Sequence, residues 1–369
     1  MKITKMTVYP LATPVCDKPY DVAYGSMTVG THVVVKIETD EGIVGWGETS
    51  PHSNFYPETQ ETTVAALRDY FATMLVGKDP FDVAGIIAEM DRWVMEQWCA
   101  KAAVDLALHD IMGKALGVPA YKLIGGAYRK KLDSVEYDLS INTLEKTAKE
   151  AREQWELGVR SFEIKMGLDL NSDVERVRVV REELGDGAML RVDMNEGYDI
   201  ATAKQFAART ESYNLQFMEQ PLPKWNKLGM AELRTTTNIP VCADQSAYTP
   251  YDVAELLAIK AMDYCCIKIG RSGFYRGRTI ASMCESFGIR NTLGHMMTLG
   301  IGTRAIHHFT MATKNVALET SGVYGSPFDY FKVDILKEPI VVKNGVIEVP
   351  DKPGLGVEVD EEMLKKLTI

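Results

Sequence analysis

Residues 161–195 read SFEIKMGLDLNSDVERVRVVREELGDGAMLRVDMN. The stretch opens on a short apolar run, Ser161–Met166, and closes on another, Met189–Val192, with an amphipathic helical segment between them. That is the pattern of one parallel βα unit. Both runs also end in chemistry, with Glu163 and Lys165 on the first and Asp193 and Asn195 on the second.

The pattern repeats on either side. Apolar runs recur at Val135–Ile141, Gln216–Met218, Pro240–Cys242, Tyr264–Ile269, Ile289–Leu293 and Val316–Leu318, with helical segments between them. Eight strands in such units close naturally into a TIM-like (β/α)8 barrel. The chain ahead of them has a different texture. Ile3–Tyr9, His32–Glu38 and Ile43–Gly47 alternate as strands, the last two joined by a turn at residues 39–42. Helical patterns follow near Thr59–Met74, Val83–Met95 and Lys101–Leu116; the last is apolar nearly all round and stops at Gly117, with Pro119 beyond. The expectation is an α/β chain with an α+β capping domain over 1–132, a barrel over 133–335, and a tail over 336–369 that packs back on the cap.

The strand ends carry a ladder of polar groups. Lys165, Asp193, Glu219, Asp244, Lys268, His295 and Glu319 follow one another at intervals of 28, 26, 25, 24, 27 and 24 residues. Each interval is one βα unit, so each member falls at the C-terminal end of a strand, facing the mouth where barrel enzymes keep their chemistry. A single Asp after a strand is ordinarily a helix cap or a turn residue. A whole set of caps would not keep register with the repeat.

Asp193, Glu219 and Asp244 on adjacent strands make a hard-oxygen set suited to Mg²⁺. No CxxC or HExxH spacing points to zinc. Lys165 and Lys268 fall on the second and sixth strands, across the barrel from each other. Two lysines facing opposite sides of a metal-held substrate suit proton removal on one face and delivery on the other. The α-proton of a carboxylate is barely acidic, and a divalent ion on that carboxylate would stabilise the enediolate as charge develops. A lysine base must be neutral, and burial together with metal charge would lower its pKa.

At these residues the chain resembles the enolase superfamily, in the muconate-lactonizing-like branch of its mandelate racemase/muconate lactonizing enzyme family. The resemblance spans nearly the whole chain. It is carried by Gly45-Trp46-Gly47-Glu48, Ala102-Ala103-Val104-Asp105, the run Asp110 to Lys114, Lys165-Met166-Gly167, Asp193-Met194-Asn195, Glu219-Gln220-Pro221, Ala243-Asp244-Gln245-Ser246 and Lys268-Ile269-Gly270. It implies a modified (β/α)7β barrel, Asp193, Glu219 and Asp244 as metal ligands, and Lys165 and Lys268 as the acid/base pair.

Two departures stand out. The branch carries Lys-x-Lys on its second strand, and Glu163 replaces the first lysine here. Glu163 would favour the ammonium form of Lys165 or contact a cationic substrate group. His295 lies where mandelate-racemase-like members carry a catalytic histidine, but Lys268 occupies the sixth-strand place of the Asp that orients it; His295 reads as a substrate contact.

Substrate contacts are expected from the lid loops, Pro14–Met27 and Ser50–Pro57, and from the segment after the last strand. Tyr56 and the Gly-Val-Tyr324 sequence resemble hydroxyproline betaine epimerases and cis-3-hydroxyproline dehydratases. Glu163, Asn195 and Glu319 complete the substrate set. Strand eight offers Glu319-Thr320-Ser321 in place of the Asp-x-Asp of dipeptide epimerases. The reading is an isomerase that racemises or epimerises an amino-acid derivative, proline- or betaine-like. A dehydratase or cycloisomerase is the alternative, and a binding protein on a retired scaffold is disfavoured by the intact ladder.

Composition excludes other classes. With Lys+Arg 41 against Asp+Glu 51 the formal charge of the 369-residue chain is −10, the wrong sign for a general nucleic-acid binder. No transmembrane-length apolar run or signal peptide is visible, and six cysteines without CxxC spacing suit a cytoplasmic protein. The expected partners are a small carboxylate substrate and further copies of the chain, not nucleic acid or membrane.

Overall fold

The computed structural model describes residues 1–16, 20–53, 55–319 and 322–369. Strand β1 (Ile3–Pro14) is followed by a short hairpin, β2 (Tyr20–Val22) and β3 (Gly25–Met27), and then by β4 (Val29–Thr39) and β5 (Val44–Thr49). β1, β4 and β5 form an antiparallel sheet in that order, with Leu11 opposite His32 and Val33 opposite Thr49. Side chains alternate between the two faces. Val33, Val35 and Ile37 pack on the capping helices with Leu67, Phe71 and Leu108, while Val34 and Trp46 join the barrel core. The sheet is therefore apolar on both sides.

The helix Trp98–Leu116 is buried along most of its length and lies against β5. Two glycines allow that approach. A Cβ on Gly47 would stand 1.9 Å from the Ala103 carbonyl oxygen, and one on Gly45 would stand 2.2 Å from that of Ala107. The helix ends as its sequence directs, at Gly117 with a φ of 68°.

The barrel strands are β6 (Val135–Leu139), β7 (Ser161–Lys165), β8 (Met189–Asp193), β9 (Leu215–Glu219), β10 (Val241–Ala243), β11 (Tyr264–Lys268), β12 (Arg290–Gly294) and β13 (Val323–Tyr324). They form one eight-stranded sheet, parallel throughout, that runs from β12 back to β6 and then to β13. Helices follow each strand from β6 to β12, which gives the (β/α)7β form. The tail ends in a helix, Glu361–Leu367, beside β1, where Leu11 bridges Thr368 and Lys36 pairs with Glu361 at 2.8 Å. Among the described residues no helix is long and apolar enough to cross a membrane.

The eighth strand corrects the sequence reading. Val316–Leu318 is not a barrel strand; only Val316 bridges Asn291, the second residue of β12. Val323 and Tyr324 pair instead with Val135 and Glu136. Val316, Ala317 and Leu318 are buried, which gives them the apolar signature of a strand without its ladder.

Candidate active site

Strand register assembles the site. Lys165 of β7 lies opposite Asp193 of β8, Asp193 opposite Glu219 of β9, and Glu219 opposite Cys242, two residues before Asp244. One residue pair below runs a second inward row, Asp138 opposite Glu163 and Glu163 opposite Arg191. All these ionisable groups are buried. The ladder is thus two layers deep, as the twofold period of inward side chains requires.

Each lysine is held by carboxylates. Lys165 Nζ donates to Asp193 Oδ2 at 2.7 Å and to Glu163, and it lies 3.8 Å from Asp138. Lys268 Nζ donates to Asp244 Oδ2 at 2.7 Å, and Arg271 stands 3.0 Å from the other oxygen of the same group. Burial alone would lower both lysines. For Lys165 the neighbouring Asp193 and Glu163 outweigh it, and for Lys268 Asp244 does, so both are raised well above the ordinary range. The carboxylates thus outweigh the lowering that burial alone brings, and Glu163 acts in the direction its charge implies.

The carboxylates divide accordingly. Burial pushes Asp193 up to about 6 against the pull of Lys165. Burial, and then repulsion from Glu163, Asp193 and Asp244, raises Glu219 well above the carboxylate range. For Asp244 burial is overcome by Lys268 and Arg271, and the group is lowered.

His295 is fixed at both nitrogens. Its Nδ1 accepts the Met297 N–H at 3.1 Å, so Nε2 carries the proton and donates it to Asp138 Oδ2, also at 3.1 Å. Asp138 accepts further hydrogen bonds from Tyr20 at 2.9 Å and Tyr330 at 2.8 Å. Burial works against its charge, but Lys165 and His295 prevail and hold it below the usual range. The orienting carboxylate for this histidine therefore comes from the first barrel strand, across the seam of the barrel. His295 positions Asp138, and its ring lines the catalytic cavity and stacks on Tyr324 with centroids 4.3 Å apart.

The other expected contacts separate. Tyr56 lines the same cavity, with Lys268 Nζ 5.8 Å from its ring centroid. Asn195 takes a left-handed φ of 43°, and its backbone and side-chain N–H groups both bond Asp193 at 2.8 Å. Tyr324 is buried beside His295. Glu319 does not join them. It is exposed and pairs with Arg290, the first residue of β12, at the opposite end of the barrel from the mouth. Its interval of 24 residues from His295 fits the repeat, but the eighth strand begins four positions further on. Thr320, Ser321, residues 17–19 and residue 54 of the expected lid loops lie outside the described residues.

Four residues at the site were not in the ladder: Glu136, Asp138, Arg191 and Arg271. The first three have a readable signal, since each sits at an inward position of a run already recognised as a strand. Arg271 has none; it opens a helix and turns back to Asp244.

The donor set fits a divalent cation. Asp193, Glu219 and Asp244 are buried on neighbouring strand ends, and among the described residues no cation pairs with Glu219. Glu219, Asp244 and Cys266 can bring ligand atoms within 4.8 Å of one another; Asp193, the third expected ligand, is not in that group, and its Oδ2 is held by Lys165 at 2.7 Å. Burial keeps the Cys266 thiol protonated, which leaves a hard-oxygen set suited to Mg²⁺.

Comparison with known proteins agrees with this geometry. The pattern described as "Enolase C-terminal domain-like" matches residues 146–363, and "Mandelate racemase / muconate lactonizing enzyme, N-terminal domain" matches residues 4–125. The N-succinyl-L-Arg/Lys racemase of Bacillus cereus is 32% identical over 100% of this chain and 98% of its own, and its crystal structure superposes with a TM-score of 0.95. Muconate cycloisomerase 1 of Rhodococcus opacus is 32% identical over 99% of this chain and 100% of its own. A dipeptide epimerase from Cytophaga hutchinsonii, solved with Mg and D-Ala-L-Val, is 28% identical over 100% of this chain and 98% of its own, with a TM-score of 0.94. The chain belongs to the mandelate racemase/muconate lactonizing enzyme family of the enolase superfamily. The relatives named are all isomerases, and this chain is an enzyme of that kind.

Proposed function

We propose that the chain is a Mg²⁺-dependent racemase or epimerase of a small amino-acid-derived carboxylate. The observation that carries the reading is the pair Lys165 and Lys268. They come from the second and sixth barrel strands, line one cavity, and are each 2.7 Å from a different candidate metal ligand. Asp193, Glu219 and Asp244 would hold Mg²⁺, which supplies Lewis-acid stabilisation of the negative charge growing on the substrate carboxylate.

The remaining work falls to the chain. One lysine Nζ takes the α-proton from one face, and the other returns a proton to the opposite face. Asp193 and Asp244, each 2.7 Å from a lysine Nζ, would hold those ammonium groups less strongly if their oxygens also served as cation ligands. Tyr20, Phe55 and Tyr56 line the cavity and give it apolar walls.

The aromatic lining supports the proline- or betaine-like substrates read from Tyr56 and Tyr324, and equally an N-acylated amino acid such as the Bacillus cereus relative's substrates. The similarity to a muconate cycloisomerase favours cycloisomerisation as a second reading. A second substrate carboxylate would, however, enter a cavity that already holds Glu136, Asp138 and Glu163.

The test is α-deuterium incorporation in D₂O with Mg²⁺, run on each stereoisomer separately with native enzyme, Lys165→Ala and Lys268→Ala. The expected result is that each variant loses exchange from one isomer by roughly 10²–10⁴-fold and keeps part of it from the other. Equal residual exchange from both isomers in both variants would remove the two-base assignment in favour of a dehydratase or cycloisomerase.

A further inference from the structure

We propose that the catalytic cavity continues through the seam beside the short eighth strand into a side pocket that binds a cationic nitrogen of the substrate, with Asp138 and Tyr324 as its recognition groups. The proposal rests on the reading above only in taking the ligand to be the substrate of that site. β13 pairs with β6 at two positions, Val323 with Val135 and Tyr324 with Glu136, so β6 has no ladder partner on that side from Tyr137 onward. A cavity of about 250 Å³ lies there. Tyr20, Asp138, Tyr324, Asp329 and Tyr330 line it, and it shares Tyr20, Glu136 and Asp138 with the catalytic cavity.

Among the described residues the lining includes four carboxylates and no basic side chain; burial pushes two of the four, Glu136 and Asp329, up to about 8 and about 7, which leaves Asp138 and Glu150 as the charged pair. Glu136 is engaged by Arg191, and Glu150 accepts the Tyr137 hydroxyl at 2.9 Å. Asp138 is satisfied on one side only. Its Oδ2 takes the hydrogen bonds of Tyr20, Tyr330 and His295, while its Oδ1 is buried without a partner among the described residues. The Tyr324 hydroxyl likewise has no partner among the described residues, on a residue that is 1% exposed. An unsatisfied carboxylate oxygen and an unsatisfied hydroxyl on two residues that line one pocket are costly unless a ligand engages them. An ammonium or guanidinium group does so, and tyrosine rings around it add cation–π attraction.

A second metal ion is the competing occupant, because Glu136, Asp138 and His295 offer ligand atoms within 4.8 Å of one another. The histidine argues against it. Its Nδ1 lone pair is taken by the Met297 N–H and its Nε2 proton points to Asp138, so neither nitrogen is free to ligate.

Matched ligand pairs test the pocket in Mg²⁺-loaded native enzyme by calorimetric titration, with α-exchange in D₂O recorded alongside. One pair is Nα-acetyl-arginine against Nα-acetyl-citrulline, in which a neutral ureido group replaces the guanidinium. The other is proline betaine against N-acetylproline. The expected result is at least about tenfold tighter binding of the cationic member in one pair. The first pair would place the cation on a distal arm and the second on the α-nitrogen. In Tyr324→Phe that preference should shrink.

Equal or tighter binding of the neutral member in both pairs overturns the pocket, as does no measurable binding of any of the four. Preference without exchange from any ligand overturns the reaction and leaves the pocket standing. Exchange without preference does the reverse.

Discussion

Arg191 is the side chain through which the floor of this site can be tested most directly. It is 2% exposed, donates from Nε to Glu163 at 3.0 Å and from one terminal nitrogen to Ser161 at 2.9 Å, and bonds Glu136 with the other. Arg191→Met keeps an unbranched side chain and removes the charge, leaving two buried carboxylates without their guanidinium. Breaking a buried pair from one side costs about 3–5 kcal/mol. Here Glu136 can escape part of that cost. Burial pushes it up to about 8 even with Arg191 present, so it takes a proton in the variant and the loss falls mainly on Glu163. The expected destabilisation is therefore at the low end, about 3 kcal/mol. Arg191→Met combined with Glu136→Gln and Glu163→Gln removes the stranded charges and should return to within about 1 kcal/mol of native. Urea unfolding followed by tryptophan fluorescence measures all three proteins. A single variant as stable as native, or a triple variant no more stable than the single, would refute the account of the floor as a charge-compensated layer.

Glu136 carries a pH dependence of its own. Its folded-state pKa of about 8 lies above the unfolded value, so the stability it contributes is present at low pH and lost as pH rises from about 4.5 to 8. Relative to native, Glu136→Gln should therefore gain up to about 3 kcal/mol between pH 5 and pH 8, and parallel stability curves would contradict this. Gly47→Ala sets a Cβ 1.9 Å from a backbone oxygen and should cost about 1–3 kcal/mol or more, whereas Gly85→Ala, with open space on a helix, should gain up to about 1 kcal/mol; thermal melts of the two should move in opposite directions. EDTA should abolish activity and Mg²⁺ restore it. Glu219→Gln should lose that restoration while stabilising the chelated protein, because it removes a carboxylate that burial and three like charges disfavour; Mg²⁺-restored activity in this variant would exclude Glu219 as a ligand.

What the sequence made legible follows from what its patterns encode. The inward–outward period of a strand and the length of a βα unit are local properties, so the runs at Ser161–Met166 and Tyr264–Ile269 lie within a residue or two of β7 and β11. The same regularity aligned Lys165, Asp193, Glu219, Asp244 and Lys268. It failed at Glu319 because the loop beyond the helix Gly300–Ala312 buries Val316–Leu318 as a plug, and burial without a ladder has the same apolar signature as a strand. Spacing reports how far the chain has travelled, not which end of the barrel it has reached. Arg271 was hidden for a related reason: its contact with Asp244 spans 27 positions and depends on the packing of a helix start against a neighbouring strand end.

Glu163 shows why the second layer changes the meaning of the first. Read alone, its place in a Lys-x-Lys position subtracts two units of charge from the floor beneath the substrate carboxylate. The structure sets Arg191 against its other oxygen, and since Glu136 is pushed up to about 8, the guanidinium's charge near neutral pH is available chiefly to Glu163. The Glu163–Arg191 pair is then close to neutral, and Asp193, 2.7 Å from Nζ, is the main counter-charge of Lys165. A less closely compensated negative charge lies one strand away, at Asp138, whose three hydroxyl and imidazole donors are formally neutral and whose cationic neighbour, Lys165, is 3.8 Å distant. The substitution at position 163 thus moves the acidic pole of the site off the catalytic axis and toward the seam at the eighth strand. A substrate positive charge would be drawn there without competing for the lysines that handle the α-proton.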